Sequence, residues 1–320
     1  MEGALGPLSR ALTIITLVAL GAMASGAARA ETVRIGWLRG TNDVTLGKAR
    51  GTIERSLAAQ GVTVAWVGPF PASAPAVEAL NGGAIDVTIG SSTSAVTSLA
   101  AGAPVVVFAY QRMGPQAESL LVKAESGIRS VKDLVGKSVA VNRGGTGEYL
   151  LVRALETHGV DPASVKRVYL GPADAGSSFA QGHVDAWATW DPFLTIALDA
   201  YGARVLADGP AIGSENAIVL LAHRDFAKSK RALLEAVFDA VAADNAWSVA
   251  NREAAGAIWA GELKVPAAYG PALGANNAVP TIAVGAPQAA EIGRIADWYA
   301  ANGIVPKRPD VADAVIDLSR

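Results

Sequence analysis

The sequence predicts an α/β protein of two lobes, and three observations carry that expectation. From residue 31 onward, short apolar runs alternate with helix-length segments, the mark of βαβ repetition. The pattern restarts near residue 115 without a Gly/Ser-rich linker. Setting aside the first 30 residues leaves 290, more than a single core ordinarily holds.

The first 30 residues read as a secretory signal peptide. Arg10 precedes an uncharged run over 11–24, and Ala28-Arg29-Ala30 has the A-x-A form of a cleavage site. The run is too short to span a bilayer. Cleavage after Ala30 and a periplasmic destination are the expectation. The chain has no cysteine, so neither a lipobox for a lipid anchor nor a disulfide framework is available. Removing Glu2, Arg10 and Arg29 leaves 25 basic and 28 acidic side chains, a net charge of −3. Near-neutral charge without a basic cluster argues against nucleic acid as a partner.

The elements follow in order. An alternating strand opens the mature chain at Thr32, and a loop over 39–43 leads to a helix over 45–60 stopped by Gly61. Strands are expected over 62–67, 85–89 and 105–110, with helices over 74–80 and from Ser92 toward Gly102. The apolar strands fit parallel pairing with both faces buried. In the second unit, strands are expected over 119–122, 138–141, 168–170, 184–188 and 204–206. Ser130 caps a single helical turn, and helices are expected over 148–158 and up to Phe179. Asp191 as N-cap with Pro192 at the first helical position opens a further helix. A last strand over 217–222 is followed by helices, clearest over 231–245 and 288–302. The plausible lobes are 31–115 with 217–320, and 116–216, joined by crossings near 111–120 and 212–220.

Four loops each join a strand to a helix: 40–43, 90–93, 144–147 and 190–192. A helix N-terminus leaves up to four N–H groups without intrahelical partners and carries partial positive charge. Glycine permits close approach, and Ser or Thr hydroxyls add donors. Gathered on one cleft, such loops suit an oxyanion. Taken singly, each is an ordinary turn. Ser91 and Ser92 lack the G-x-S-x-G context of a nucleophile. His158 reads as a helix C-terminal cap, and His183 and His223 as solvated turn residues. No metal-ligand spacing and no cofactor motif is present. Trp187 and Trp190 end the strand before Asp191, and Trp190 is the one favoured for the cleft, against core packing for both.

At these residues the chain resembles the periplasmic binding proteins for aliphatic sulfonates and taurine, the substrate-binding components of ABC importers. The matching elements are FPASAPAVEALNGGAIDVTIGSS from Phe70, SVKDLVGKSVAV from Ser130, LLVRAL from Leu150, and YLGPADAGSSFAQGHVDAWATWDPF from Tyr169. The resemblance runs through GIVPK at 303–307, and DAWATWDP is its most specific part. It implies a type II flytrap that closes on a small anionic or zwitterionic ligand and docks, as a monomer, on a membrane permease and through it an ATPase. It implies ligand contacts at Ser91, Ser92, Gly145, Thr146, Trp190 and Asp191, and more weakly at Gly40, Thr41 and Asn42. Where these relatives tend to place Ser or Thr followed by His, this chain has Thr146-Gly147-Glu148. Two readings of Glu148 stand: a first-turn residue favouring its own helix dipole, or a carboxylate facing the pocket that selects an amino-sulfonate. Arg39, Arg112 and Arg143 are candidate counter-charges or rim residues.

Three function classes compete. A thiamine-pyrimidine synthase on this fold needs a His and Cys cluster, and the chain has no Cys. A LysR-type regulator begins with a helix-turn-helix, where this chain has a signal peptide. A non-enzymatic binding protein fits, with nitrate, bicarbonate or a pyrimidine as alternative ligands.

Overall fold

The computed structural model describes residues 31–319. The expected signal peptide lies outside the described residues. β1 (Glu31–Leu38) turns Val33 and Ile35 into the core. The single helix expected over 45–60 is instead two, α1 (Asp43–Arg50) and α2 (Thr52–Ala58). Between them Gly51 sits at φ +63°, a left-handed backbone that ends one helix and begins the next. β2 (Val62–Phe70), α3 (Ser73–Asn81), β3 (Val87–Ser91), α4 (Ser92–Ala100) and β4 (Val105–Arg112) continue the alternation. The third strand begins and ends two residues later than expected, because Ser91 still pairs with Ile218 before capping α4.

The chain then builds a second unit. It comprises β5 (Glu118–Lys123), β6 (Ser138–Val141), α5 (Thr146–Thr157), β7 (Lys166–Tyr169), α6 (Pro172–Ala180), β8 (Ala186–Trp190), α7 (Phe193–Ala200) and β9 (Ala203–Asp208). The Asp133 carboxylate secures the expected single turn, accepting from the Ser130 N–H at 2.8 Å and from its hydroxyl at 3.1 Å. β10 (Ala217–His223) returns to the first unit, followed by α8 (Arg224–Ser229), α9 (Arg231–Ala250), α10 (Arg252–Leu263), α11 (Gly270–Asn277), β11 (Thr281–Ala283) and α12 (Ala286–Ala301). β11 has no counterpart in the sequence reading, since three residues give too short a pattern to recognise.

Two sheets result, ordered β11-β4-β10-β3-β1-β2 and β7-β6-β8-β5-β9. Both are mixed, which corrects the expectation of parallel pairing. β10 runs antiparallel to β3 and β4, and β5 antiparallel to β8 and β9. Each is the strand by which the chain enters a sheet from the other lobe, so it arrives in the reverse direction. Each sheet is covered on both faces. In the first, Ile53, Leu57 and Val237 pack on one side, and Leu80, Val96 and Tyr299 on the other. In the second, Leu150 and Leu155 face one way and Phe179 and Trp187 the other. Full burial of each such side chain contributes roughly 1.5–3 kcal/mol.

The C-terminal helices attach to the first lobe through Leu46 of α1, which packs with Trp259 and Leu273. Trp259 Nε1 also donates to the Asn42 carbonyl at 3.0 Å, so α10 fixes the loop that precedes α1. Across the lobes, the ring of Tyr149 meets Trp298 edge-on at 5.0 Å.

Candidate functional site

Three helix N-termini of the first lobe and one of the second surround a single cavity at the strand ends. Asn42 caps α1, its Oδ1 accepting from the Thr45 N–H at 2.9 Å. Ser91 caps α4, its Oγ accepting from the Ser94 N–H at 3.2 Å. α3 begins with Ser73, whose Oγ accepts from the Ser91 N–H at 3.2 Å and so ties α3 to β3. α5 begins at Thr146 after Gly145. The remaining N–H groups of these first turns have no intrahelical partner and carry the positive end of the helix dipole.

A chain of hydroxyls runs along the base of this cavity. Ser91 Oγ lies 3.0 Å from Ser94 Oγ and 2.9 Å from Thr93 Oγ1, which stands 3.4 Å from Thr146 Oγ1 in the other lobe. Asn216, on the return crossing, donates to Thr146 Oγ1 at 3.2 Å and to the buried Glu118 Oε2 at 2.8 Å. Burial holds the Glu118 carboxyl above the usual range, against the bonds from Asn216 and Ser214. The base of the cavity is thus wired to both crossings.

Of the residues expected at the site, Gly40, Thr41, Asn42, Ser91, Thr146, Trp190 and Asp191 line the cavity. Trp187 is buried among Phe179 and Leu194, so Trp190 alone of the pair reaches the cleft. Three others do not line it. Ser92 is fully buried, donating to Asn216 Oδ1 at 3.2 Å and accepting from the Ala217 N–H at 3.0 Å. Ser91 is the extended N-cap and Ser92 the first helical residue, and of the two only Ser91 lines the cavity. Gly145 stands behind the wall, where a Cβ would come within 2.0 Å of Asn142 Nδ2.

Glu148 is buried and turned away. Its Oε2 accepts from the Gly144 N–H at 2.7 Å, and its Oε1 from Arg167 Nη1 at 2.9 Å and from the Tyr169 hydroxyl at 2.7 Å. A carboxylate so satisfied neither repels an anion in the cavity nor attracts a ligand cation.

Asp191 departs from its expected role in detail. Its N–H still bonds the Ala117 carbonyl, continuing the sheet, and α7 begins two residues later at Phe193. Pro192 is therefore outside the helix. The Asp191 carboxylate still caps α7, accepting from the Thr195 N–H at 3.0 Å and its Oγ1 at 2.7 Å. Its other oxygen accepts from Asn276 and Asn277 of α11 at 2.9 and 3.0 Å. Burial raises its pKa, while these four donors oppose the shift.

Several cavity residues were not read from the sequence. Asn142 accepts the Gly147 N–H at 2.7 Å on Oδ1, which aims its amide NH₂ elsewhere as a donor. Ala72 and Ser73 place the α3 N-terminus at the site; a Ser two residues before Pro75 was the signal for it. Leu38, Ile89, Met113 and Ile218 supply apolar wall. Arg39 lines the cavity while exposed, and no described carboxylate pairs with its guanidinium. Arg112 instead pairs with Glu291 at 2.6 Å, and Arg143 lies 3.6 Å over the Tyr169 ring. His158 accepts its place as the α5 C-cap, with Nδ1 2.8 Å from the Ala154 carbonyl.

The cavity holds about 610 Å³ of atom-free space, part of it open to solvent. Its polar side offers hydroxyls, amides, helix N-termini and a guanidinium, and its one lining carboxylate among the described residues, Asp191, is already bonded to four donors. An oxyanion attached to a short apolar body matches this lining.

Comparison with known proteins agrees with that chemistry. The NMT1/THI5-like family pattern matches residues 57–255. The chain is 34% identical, over 89% of its length and 88% of the relative's, to a protein of Escherichia coli (strain K12) named as an aliphatic sulfonates-binding protein. It is 30% identical to the taurine-binding periplasmic protein of the same organism, over 69% of this chain and 68% of that one. The solved structure of the alkanesulfonate-binding protein SsuA from Xanthomonas axonopodis pv. citri, bound to MOPS, superposes with a TM-score of 0.84. That match has 29% identity and covers 91% of this chain and 99% of that one.

Proposed function

This chain belongs to the NMT1/THI5-like family, and we infer that it is the substrate-binding component of an ABC importer for aliphatic sulfonates. The ligand's sulfonate sits on the Ser91, Ser94 and Thr146 hydroxyls and the N-termini of α3, α4 and α5. Arg39 adds positive charge at the mouth, and Leu38, Met113, Ile218 and Trp190 cover the carbon chain. The carrying observation is a cavity rich in donors whose one lining carboxylate among the described residues is already satisfied. Each hydrogen bond to a charged group contributes roughly 1.5–3 kcal/mol, so a few supply the roughly 8 kcal/mol of micromolar binding.

The same observation ranks alkanesulfonates above taurine. Taurine's ammonium finds no free carboxylate, since Glu148 is spent on Arg167 and Tyr169. The lobes, 31–115 with 217–320 and 116–216, close on the ligand about the two crossings. The protein acts in the periplasm as a monomer without lipid anchor, performs no catalysis, and hands its ligand to a membrane permease coupled to an ATPase.

Titration calorimetry of residues 31–320 with butanesulfonate tests this reading. Micromolar affinity is expected, falling at least about tenfold in Ser91→Ala and in Thr146→Val. Silence across a sulfonate panel, alongside clear binding of nitrate, bicarbonate or a pyrimidine, rejects it.

A further inference from the structure

A second cleft adjoins the sulfonate cavity and shares Pro71, Ala72, Ser94 and Asn142 with it. It holds about 1030 Å³ of atom-free space, part of it open to solvent. One lobe contributes Ala74 and Pro75, and the other Leu170, Pro172 and Ala173, so both flanks are apolar. Arg143 stands in the same cleft with its guanidinium 3.6 Å over the Tyr169 ring centroid. Asp174 also lines the cleft, but no described carboxylate forms an ion pair with Arg143.

The stack is held from behind. The Tyr169 hydroxyl donates to Glu148 Oε1 at 2.7 Å, and Arg167 anchors the same oxygen at 2.9 Å. Glu148 is thereby a positioning residue for the Arg143–Tyr169 wall, which gives a purpose to a carboxylate the inner cavity does not use. A guanidinium covered on one face by an aromatic ring keeps its second planar face available for another.

We propose that this outer cleft is the subsite for the ligand's tail and that it selects a flat aromatic ring, making arylalkanesulfonates preferred ligands. The proposal rests on the sulfonate reading of the inner cavity. With the sulfonate at the Ser91–Thr146 base, a linker of a few carbons passes Asn142 and the ring stacks on Arg143. The flanking prolines and alanines cover its edges.

Calorimetry on residues 31–320 with butanesulfonate, 4-phenylbutanesulfonate and 4-cyclohexylbutanesulfonate separates the alternatives. The phenyl compound is expected to bind about tenfold tighter than butanesulfonate, and several-fold tighter than the cyclohexyl compound of similar area. Arg143→Ala should erase the phenyl-over-cyclohexyl preference and leave butanesulfonate within about twofold of its original affinity. Ala173→Trp, which fills the cleft from an exposed position, should weaken both ring compounds and spare butanesulfonate. Butanesulfonate binding without any gain from the phenyl ring overturns the subsite alone. So does an Arg143→Ala variant that weakens all three compounds equally. Failure of every sulfonate to bind overturns the inner-cavity reading and the subsite with it.

Discussion

Removing the amides of Asn276 and Asn277 should weaken ligand binding without touching the ligand. Both side chains belong to the end of α11, in the lobe opposite Asp191, and both donate to the same carboxylate oxygen, at 2.9 and 3.0 Å. Asp191 is 3% exposed, so these bonds exist in a dry setting and cannot survive separation of the lobes. At the lower limit of roughly 1.5 kcal/mol per bond to a charged group, the pair favours the closed form by about 3 kcal/mol, or roughly 100-fold. Ligand affinity scales with the fraction of closed molecules, so the loss carries over to the observed Kd. Asn276→Ala should weaken butanesulfonate about tenfold, and Asn276→Ala/Asn277→Ala by up to about 100-fold. Asn277 also bonds the Leu273 carbonyl, so the single Asn276 variant is the cleaner measurement. Titration calorimetry gives the affinities, and small-angle scattering at saturating ligand gives the radius of gyration. A Kd within twofold of the parent, with an unchanged radius, refutes the latch.

Two further outcomes follow from buried carboxylates. Glu148→Gln should leave butanesulfonate affinity unimproved and lower stability by roughly 1.5–3 kcal/mol, because Arg167 and Tyr169 lose a charged acceptor. Calorimetric melting would show a drop of several degrees, and a gain in affinity with an unchanged Tm contradicts the orientation described. Asp43, first residue of α1, is buried and accepts from Asn245 at 3.0 Å and Thr281 at 2.9 Å. Burial pushes its pKa from 3.8 up to about 7, against those hydrogen bonds. Between those values the folded chain holds a proton that the unfolded chain releases, so stability falls as pH rises from about 4 to 7. Melting curves across that range should slope less steeply for Asp43→Asn. Buried Glu118, Asp191 and Asp244, also raised, leave a residual slope in both proteins. Identical slopes would remove Asp43 as the cause.

The legible part of this protein is what local chemistry dictates. Ser91 and Asn42 cap helices at the places their neighbours imply, and Ser138–Val141 is a strand as its apolar run requires. Gly51 was hidden because one glycine inside a helical period reads as tolerated, and only its φ of +63° reveals two helices. The antiparallel entry of β5 and β10 was equally hidden, since strand direction leaves no trace in a run of apolar residues.

For the site, the sequence by itself determined the supply of donors: Gly40 to Asn42, Ser91, and Thr146, each at a strand end before a helix. It favoured Trp190 over Trp187 as the candidate wall, since residues three apart at a strand-to-helix corner need not share a face, and left core packing open for both. Only the tertiary structure decided where each side chain points. Ser91, the extended N-cap, faces the cavity, and Ser92, the first helical residue, is held toward the return crossing by Asn216 and the Ala217 N–H. Glu148 is drawn away by Arg167 and Tyr169, on a strand 19 and 21 residues further along the chain. Two of the four donors to Asp191 lie 85 and 86 residues away, on a helix of the other lobe. A carboxylate's role depends on which donors reach it, and those donors come together only when the sheets pack.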